Sequence, residues 1–91
     1  MIIETTLLII GALTAVACLS LSKIKSWLRN RANAKYGDLV KRDLRDGKVE
    51  VMVIGLSENG TRTGEKTYRA KSLDPELDAE FGYSNRTRIY V

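Results

Sequence analysis

The hydrophobic and polar positions divide the chain into two unlike halves. From Thr5 to Ser22 eighteen consecutive residues carry no charge, and Leu7, Leu8, Ile9, Ile10, Leu13, Val16, Leu19 and Leu21 dominate the run. As a helix it is roughly 27 Å long at about 1.5 Å per residue, close to the roughly 30 Å hydrocarbon core of a bilayer. The pattern predicts a transmembrane anchor over residues 1–22. Gly11, Ala15, Cys18 and Ser22 recur at helical spacing and form one small-residue stripe, the kind of surface that lets helices approach closely in lipid.

The helical period persists beyond the run. Ile24, Trp27 and Leu28 fall on one side, and no Gly or Pro interrupts Lys23 to Tyr36. Residues 23–37 therefore read as a basic amphipathic juxtamembrane segment ending at Gly37. Asp38 suits the cap of a short helix from Leu39 to Arg45, stopped by Asp46-Gly47, although the same residues also suit a strand turning at that pair.

Residues 48–56 carry the strongest strand signal, with Val49, Val51 and Val53 on one face and Met52, Ile54 and Leu56 on the other. Asn59-Gly60 is a favoured pair for a two-residue hairpin turn. A hairpin closed there sets Val51 opposite Tyr68, Val49 opposite Ala70 and Glu50 opposite Arg69. It also sets Val53 opposite Lys66, a mismatch, and a longer loop around Thr61–Gly64 is the alternative. Further on, Asp74 is a natural helix cap, Pro75 fits the first helical position and Gly82 fits just past the end. Leu73, Leu77 and Phe81 give that helix one apolar stripe, and residues 86–91 supply a last strand. The expected fold is α+β: a single N-terminal transmembrane helix extended by a basic juxtamembrane helix, then a small α-β-β-α-β domain over residues 38–91 with an antiparallel sheet.

Charge adds an orientation. The net charge of +4 is concentrated in residues 23–45, where eight Lys/Arg stand against Asp38 and Asp43. Basic residues beside a span mark its cytoplasmic side. The N-terminus is therefore expected outside and the C-terminal domain in the cytoplasm, or in the interior of a membrane-containing particle. Trp27 would sit at headgroup level. Lys23, Lys25, Trp27, Arg29, Arg31 and Lys35 form a collar suited to anionic lipid or nucleic-acid phosphate, each basic residue near an anionic membrane contributing on the order of 1 kcal/mol. Met1-Ile2-Ile3-Glu4 lacks the positive charge of a secretory signal, and Ala15 stands where a lipoprotein box before Cys18 has Leu. An uncleaved anchor is expected.

Candidate chemistry is sparse. The chain has no histidine, one cysteine inside the apolar run, no phosphate-binding Gly motif and no metal-ligand spacing. Asp74, Glu76, Asp78 and Glu80 alternate along the sequence and so spread around an exposed helix arc instead of converging on a metal. No catalytic residue, cofactor or metal is implied. The sequence points to a non-enzymatic single-pass membrane protein, a small structural or accessory subunit of a larger assembly acting by protein–protein contact. Its expected partners are the bilayer, other subunits or a second copy of itself. A structural component of a membrane-containing virus particle is the alternative, and a holin- or toxin-like protein a more distant one.

Overall fold

The computed structural model describes residues 13–91, and it departs from the expected fold at its first element. Leu13–Leu19 is a β-strand, β1, and among the described residues no helix is long and apolar enough to cross a membrane. This overturns the single-pass anchor, together with the N-out orientation and the membrane localisation built on it. Residues 1–12 of the expected anchor lie outside the described residues.

The physical reason lies in the run itself. A uniformly apolar stretch has no period, so a buried strand and a buried helix look alike in it. The break falls at Ser20, whose backbone is extended and whose hydroxyl accepts a hydrogen bond from the Lys23 N–H at 3.1 Å. That side-chain bond satisfies one of the orphan donors of a new helix, α1 (Leu21–Arg29). The spacing of Leu21, Ile24 and Leu28 does mark a helix, but a nine-residue one that turns these three side chains into a core.

The rest of the chain adds four strands and one more helix. Strand β2 (Tyr36–Asp43) occupies the place of the expected helix over residues 39–45, and Asp46-Gly47 turns it into β3 (Val49–Leu56). Gly47 takes the positive φ of 86° that this turn requires, and the Asp46 carboxylate accepts from the Lys48 N–H at 3.0 Å. Strand β4 (Arg62–Leu73) pairs with β3 in the register Val49–Ala70, Glu50–Arg69, Val51–Tyr68 and Val53–Lys66. The turn itself is longer than two residues: the Ser57 N–H donates to the Thr61 carbonyl at 2.8 Å, and an irregularity at Gly55/Leu56 restores the register. Helix α2 (Pro75–Phe81) starts where its cap predicts, with the Asp74 carboxylate accepting from the Leu77 N–H at 2.9 Å, and β5 (Arg86–Tyr90) follows.

The five strands form one sheet in the order β1-β4-β3-β2-β5; β1 runs parallel to β4 and every other pairing is antiparallel. Both helices lie on the same face. Leu21, Ile24 and Leu28 of α1 and Leu77 and Phe81 of α2 join Leu39, Val51, Val53, Tyr68, Ala70 and Ile89 of the sheet in a single buried cluster. The described residues thus form a sheet-dominated domain with two short helices, and the expected boundaries at residues 22 and 37 fall within α1 and β2.

A row of glycines seats α1. Gly37, Gly55 and Gly64 stand side by side on β2, β3 and β4, all on the helix face. A Cβ at Gly37 would lie 2.8 Å from Leu28 Cδ1, and one at Gly55 would lie 2.9 Å from Thr63 Oγ1. At Gly64 it would lie 3.0 Å from Arg31 Cδ, with the Trp27 ring just beyond. Gly37 is therefore a packing residue inside a strand, not the end of a juxtamembrane helix.

Overpacking of this kind costs about 1–3 kcal/mol, so Gly37→Val should lower the melting temperature by roughly 4–8 °C per kcal/mol in a domain of this size. Because Leu28 is the side chain displaced, Leu28→Ala combined with Gly37→Val should lose less stability than the two single changes added together. Additive losses by thermal or urea denaturation would place the strain elsewhere.

Candidate interaction surface

Among the described residues, the helices cover only one face of the sheet. On the other, strand alternation brings Val40, Met52, Ile54 and Leu56 to a common surface on β2 and β3, where each is half-buried. Cross-strand ion pairs frame this apolar centre. Glu50 accepts from Arg42 at 2.6 Å and from Arg69 at 3.2 Å, linking β2, β3 and β4. Arg88 holds Asp38 with two bonds, of 2.7 and 3.2 Å, between β5 and β2. These bonds fix the Arg88 guanidinium more firmly in its charged form. Ion pairs at the surface of a sheet add little to stability, so these order the surface more than they stabilise the fold.

Two aromatic rings stand at one corner. Tyr36 and Tyr90 pack with centroids 5.7 Å apart, and the Arg88 guanidinium lies 4.5 Å from the Tyr36 centroid. Tyr90 is 66% exposed, so its ring stands at the surface beside Tyr36. Two shallow depressions mark the face. One of about 310 Å³ lies between Asp38, Val40, Ile54, Arg86 and Arg88; the other, of about 250 Å³, lies beside Ala15 and Ala17 with Lys48, Arg69 and Lys71 around it.

The residues singled out from the sequence fall elsewhere. Gly11 lies outside the described residues. Ala15 and Cys18 lie on opposite faces of β1, pairing with Arg69 and Ser72 of β4, while Ser22 is on α1. The three described residues therefore do not share one helix face. Lys23, Lys25 and Arg29 belong to α1, which has no acidic residue, and Arg31 and Lys35 lie in the connection to β2. Trp27 is half-buried over Gly64 and stacked by Arg31 at 5.4 Å, so its ring serves the packing of α1 onto the sheet. Lys35 lines a polar cleft of about 740 Å³ between that connection and the β3–β4 turn.

A groove runs between β1 and α1. Thr14, Cys18, Ser22, Ser26, Trp27, Lys66 and Tyr68 line it. Lys66, the mismatch opposite Val53, is accommodated here: its ammonium lies 5.5 Å from the centroid of the Tyr68 ring. Burial raises the Tyr68 phenol above its ordinary value of 10.0. Among the described residues no group of three or more His, Cys, Asp or Glu converges in a way that could hold a metal ion.

Comparison of the chain with protein-family models, with curated proteins and with solved structures found no match. The reading of function therefore rests on the surface alone. The open face was legible in part, since both sets of alternate residues on β3 are apolar. The Tyr36–Tyr90 pair had no sequence signal, because it joins strands more than fifty residues apart.

The raised Tyr68 phenol has a consequence at alkaline pH. A group whose folded pKa is raised contributes stability that is fully present below its unfolded value and is lost as pH rises through the folded one. Stability should hold up to about pH 10 and fall above it. Tyr68→Phe should flatten that alkaline decline in denaturant melts, and an unchanged decline would assign it to other groups.

Proposed function

We propose that this chain is a small non-enzymatic interaction module, an accessory subunit that works by protein–protein contact through the open face of its sheet. One observation supports this most: β3 is apolar on both faces, yet the helices cover only one of them. The uncovered side has the anatomy of a contact surface. Val40, Met52, Ile54 and Leu56 form an apolar centre, and tyrosine and arginine side chains surround it. Interfaces are enriched in Tyr, Met and Arg and carry a polar rim around an apolar core. Met52 adds a flexible side chain that adapts to a partner's shape.

A second reading draws on α1. Its outer side carries Lys23, Lys25 and Arg29 with no acidic residue among them, a charge pattern suited to phosphate groups. Contact of that kind weakens steeply with added salt.

The two readings separate on paired variants. Ile54→Glu should weaken partner binding at least about 10-fold, the equivalent of 1.4 kcal/mol at the centre of a contact, while leaving the thermal melt close to wild type. Lys23→Ala/Lys25→Ala/Arg29→Ala should leave that binding intact. Retention of partner by Ile54→Glu, with loss in the triple variant and strong salt dependence, would overturn the first reading in favour of the second.

A further inference from the structure

The two edges of the sheet are unlike. On β5, Arg86 and Arg88 are exposed, and charged side chains are a usual means of keeping a strand edge from pairing with other chains. On β1 there is no charge, no proline and no bulge. Its pairs with β4 advance one for one from Leu13–Thr67 to Leu19–Leu73. The opposite side of β1 has no partner among the described residues, and Ala15, Ala17 and Cys18 are exposed on it. An uncharged edge of this length with no bulge presents a row of backbone N–H and C=O groups that serves as a template for another extended strand.

The sequence of β1 also indicates which strand. Leu-Thr-Ala-Val-Ala-Cys-Leu reads nearly the same in side-chain size from either end. About Val16, Ala15 mirrors Ala17, Thr14 mirrors Cys18 and Leu13 mirrors Leu19. In an antiparallel pair across a twofold axis, each residue faces its mirror position in the other copy. Every side chain of β1 would then meet one of its own size. A twofold interface requires such self-complementarity, and cross-strand pairs of matched side chains are the unit of sheet stabilisation.

We infer that β1 is the seam of a homodimer, pairing antiparallel with the β1 of a second copy about a twofold axis at Val16. Two five-stranded sheets become one of ten strands. The inference rests on the edge of the sheet, not on its open face, so it stands or falls separately from the proposed partner contact.

The register is testable in the full-length chain. Directly opposed antiparallel residues have Cα atoms about 4.5–5.5 Å apart, within the range a disulfide spans. Val16→Cys in a Cys18→Ser background should form a covalent dimer under mild oxidation. Thr14→Cys should do so through the native Cys18 of the other copy. Ala15→Cys in the Cys18→Ser background, whose like positions are offset along the strands, should cross-link far less. By light scattering the wild-type chain should have twice its 10.2 kDa mass. Ala17→Lys, at an exposed position that leaves the core untouched, should return it to one copy with the melting curve retained. A wild-type monomer, or cross-linking as strong at Ala15 as at Val16, would overturn the proposal. So would protected β1 amides in a monomer, which would assign the edge to another segment of this chain.

Discussion

The close approach of α1 to the sheet is the constraint on which the rest of the structure depends. Leu28 can lie flat on β2 and β3 only because Gly37 and Gly55 offer no Cβ beneath it, and Arg31 and Trp27 use Gly64 in the same way. Three glycines in register across three strands weaken each strand slightly, since glycine packs no side chain and loses more backbone freedom on folding. The compensation is a fully buried leucine, worth about 1.5–3 kcal/mol of burial, together with the packing of Ile24 and Leu21 beside it. The seating of α1 also fixes β1, because Ser20 both ends the strand and caps the helix. At the same end of β1, the start of α2 is tied to that strand, with the Asp74 N–H donating to the Leu19 carbonyl at 2.9 Å.

From that arrangement follows the imbalance between the two faces. Among the described residues, two helices of nine and seven residues are too few to cover both sides of a five-stranded sheet. One face becomes the core, and the second apolar set on β3 is left at the surface. The protein manages it with cross-strand ion pairs, Glu50 bridging Arg42 and Arg69, and Asp38 holding Arg88. Such pairs keep long charged side chains lying across the sheet. They leave Met52 and Ile54 only half-covered.

What was legible in the sequence depended on how local the determining interaction is. The β3–β4 register was readable from the match of Val51 to Tyr68 and of Glu50 to Arg69 within one local hairpin, although the turn around Asn59-Gly60 is longer than two residues and the irregularity at Gly55/Leu56 makes up the difference. Asp74, Pro75 and Gly82 likewise defined α2 from within one short segment. Strand β2 was harder, since Leu39, Val40 and Leu44 satisfy a helix stripe as well as a strand, and only pairing with β3 and β5 on either side decides between them. Residues 13–19 could not be assigned from their own pattern. Their partner, β4, lies more than fifty residues away. Of the contact surface, the doubly apolar β3 was visible, whereas the corner built from Tyr36, Tyr90 and Arg88 exists only once β2 and β5 are neighbours.

The same absence of charge that makes residues 13–19 resemble part of a membrane span is what leaves β1 as an unguarded edge. Lipid and an adjacent strand place a similar demand on side chains: neither tolerates an unpaired charge, and both favour small and β-branched apolar residues. They differ in what they require of the backbone. A lipid-facing segment must satisfy its N–H and C=O groups internally, whereas β1 satisfies one side through β4 and has no partner on the other among the described residues. Pairing two β1 strands would close that side without altering the core. It would also join the two open faces edge to edge, because Ala15 and Ala17 share that surface with Arg69. The apolar, arginine-framed surface that one copy presents through Met52 and Ile54 would then be offered twice, in a fixed relation set by the axis at Val16.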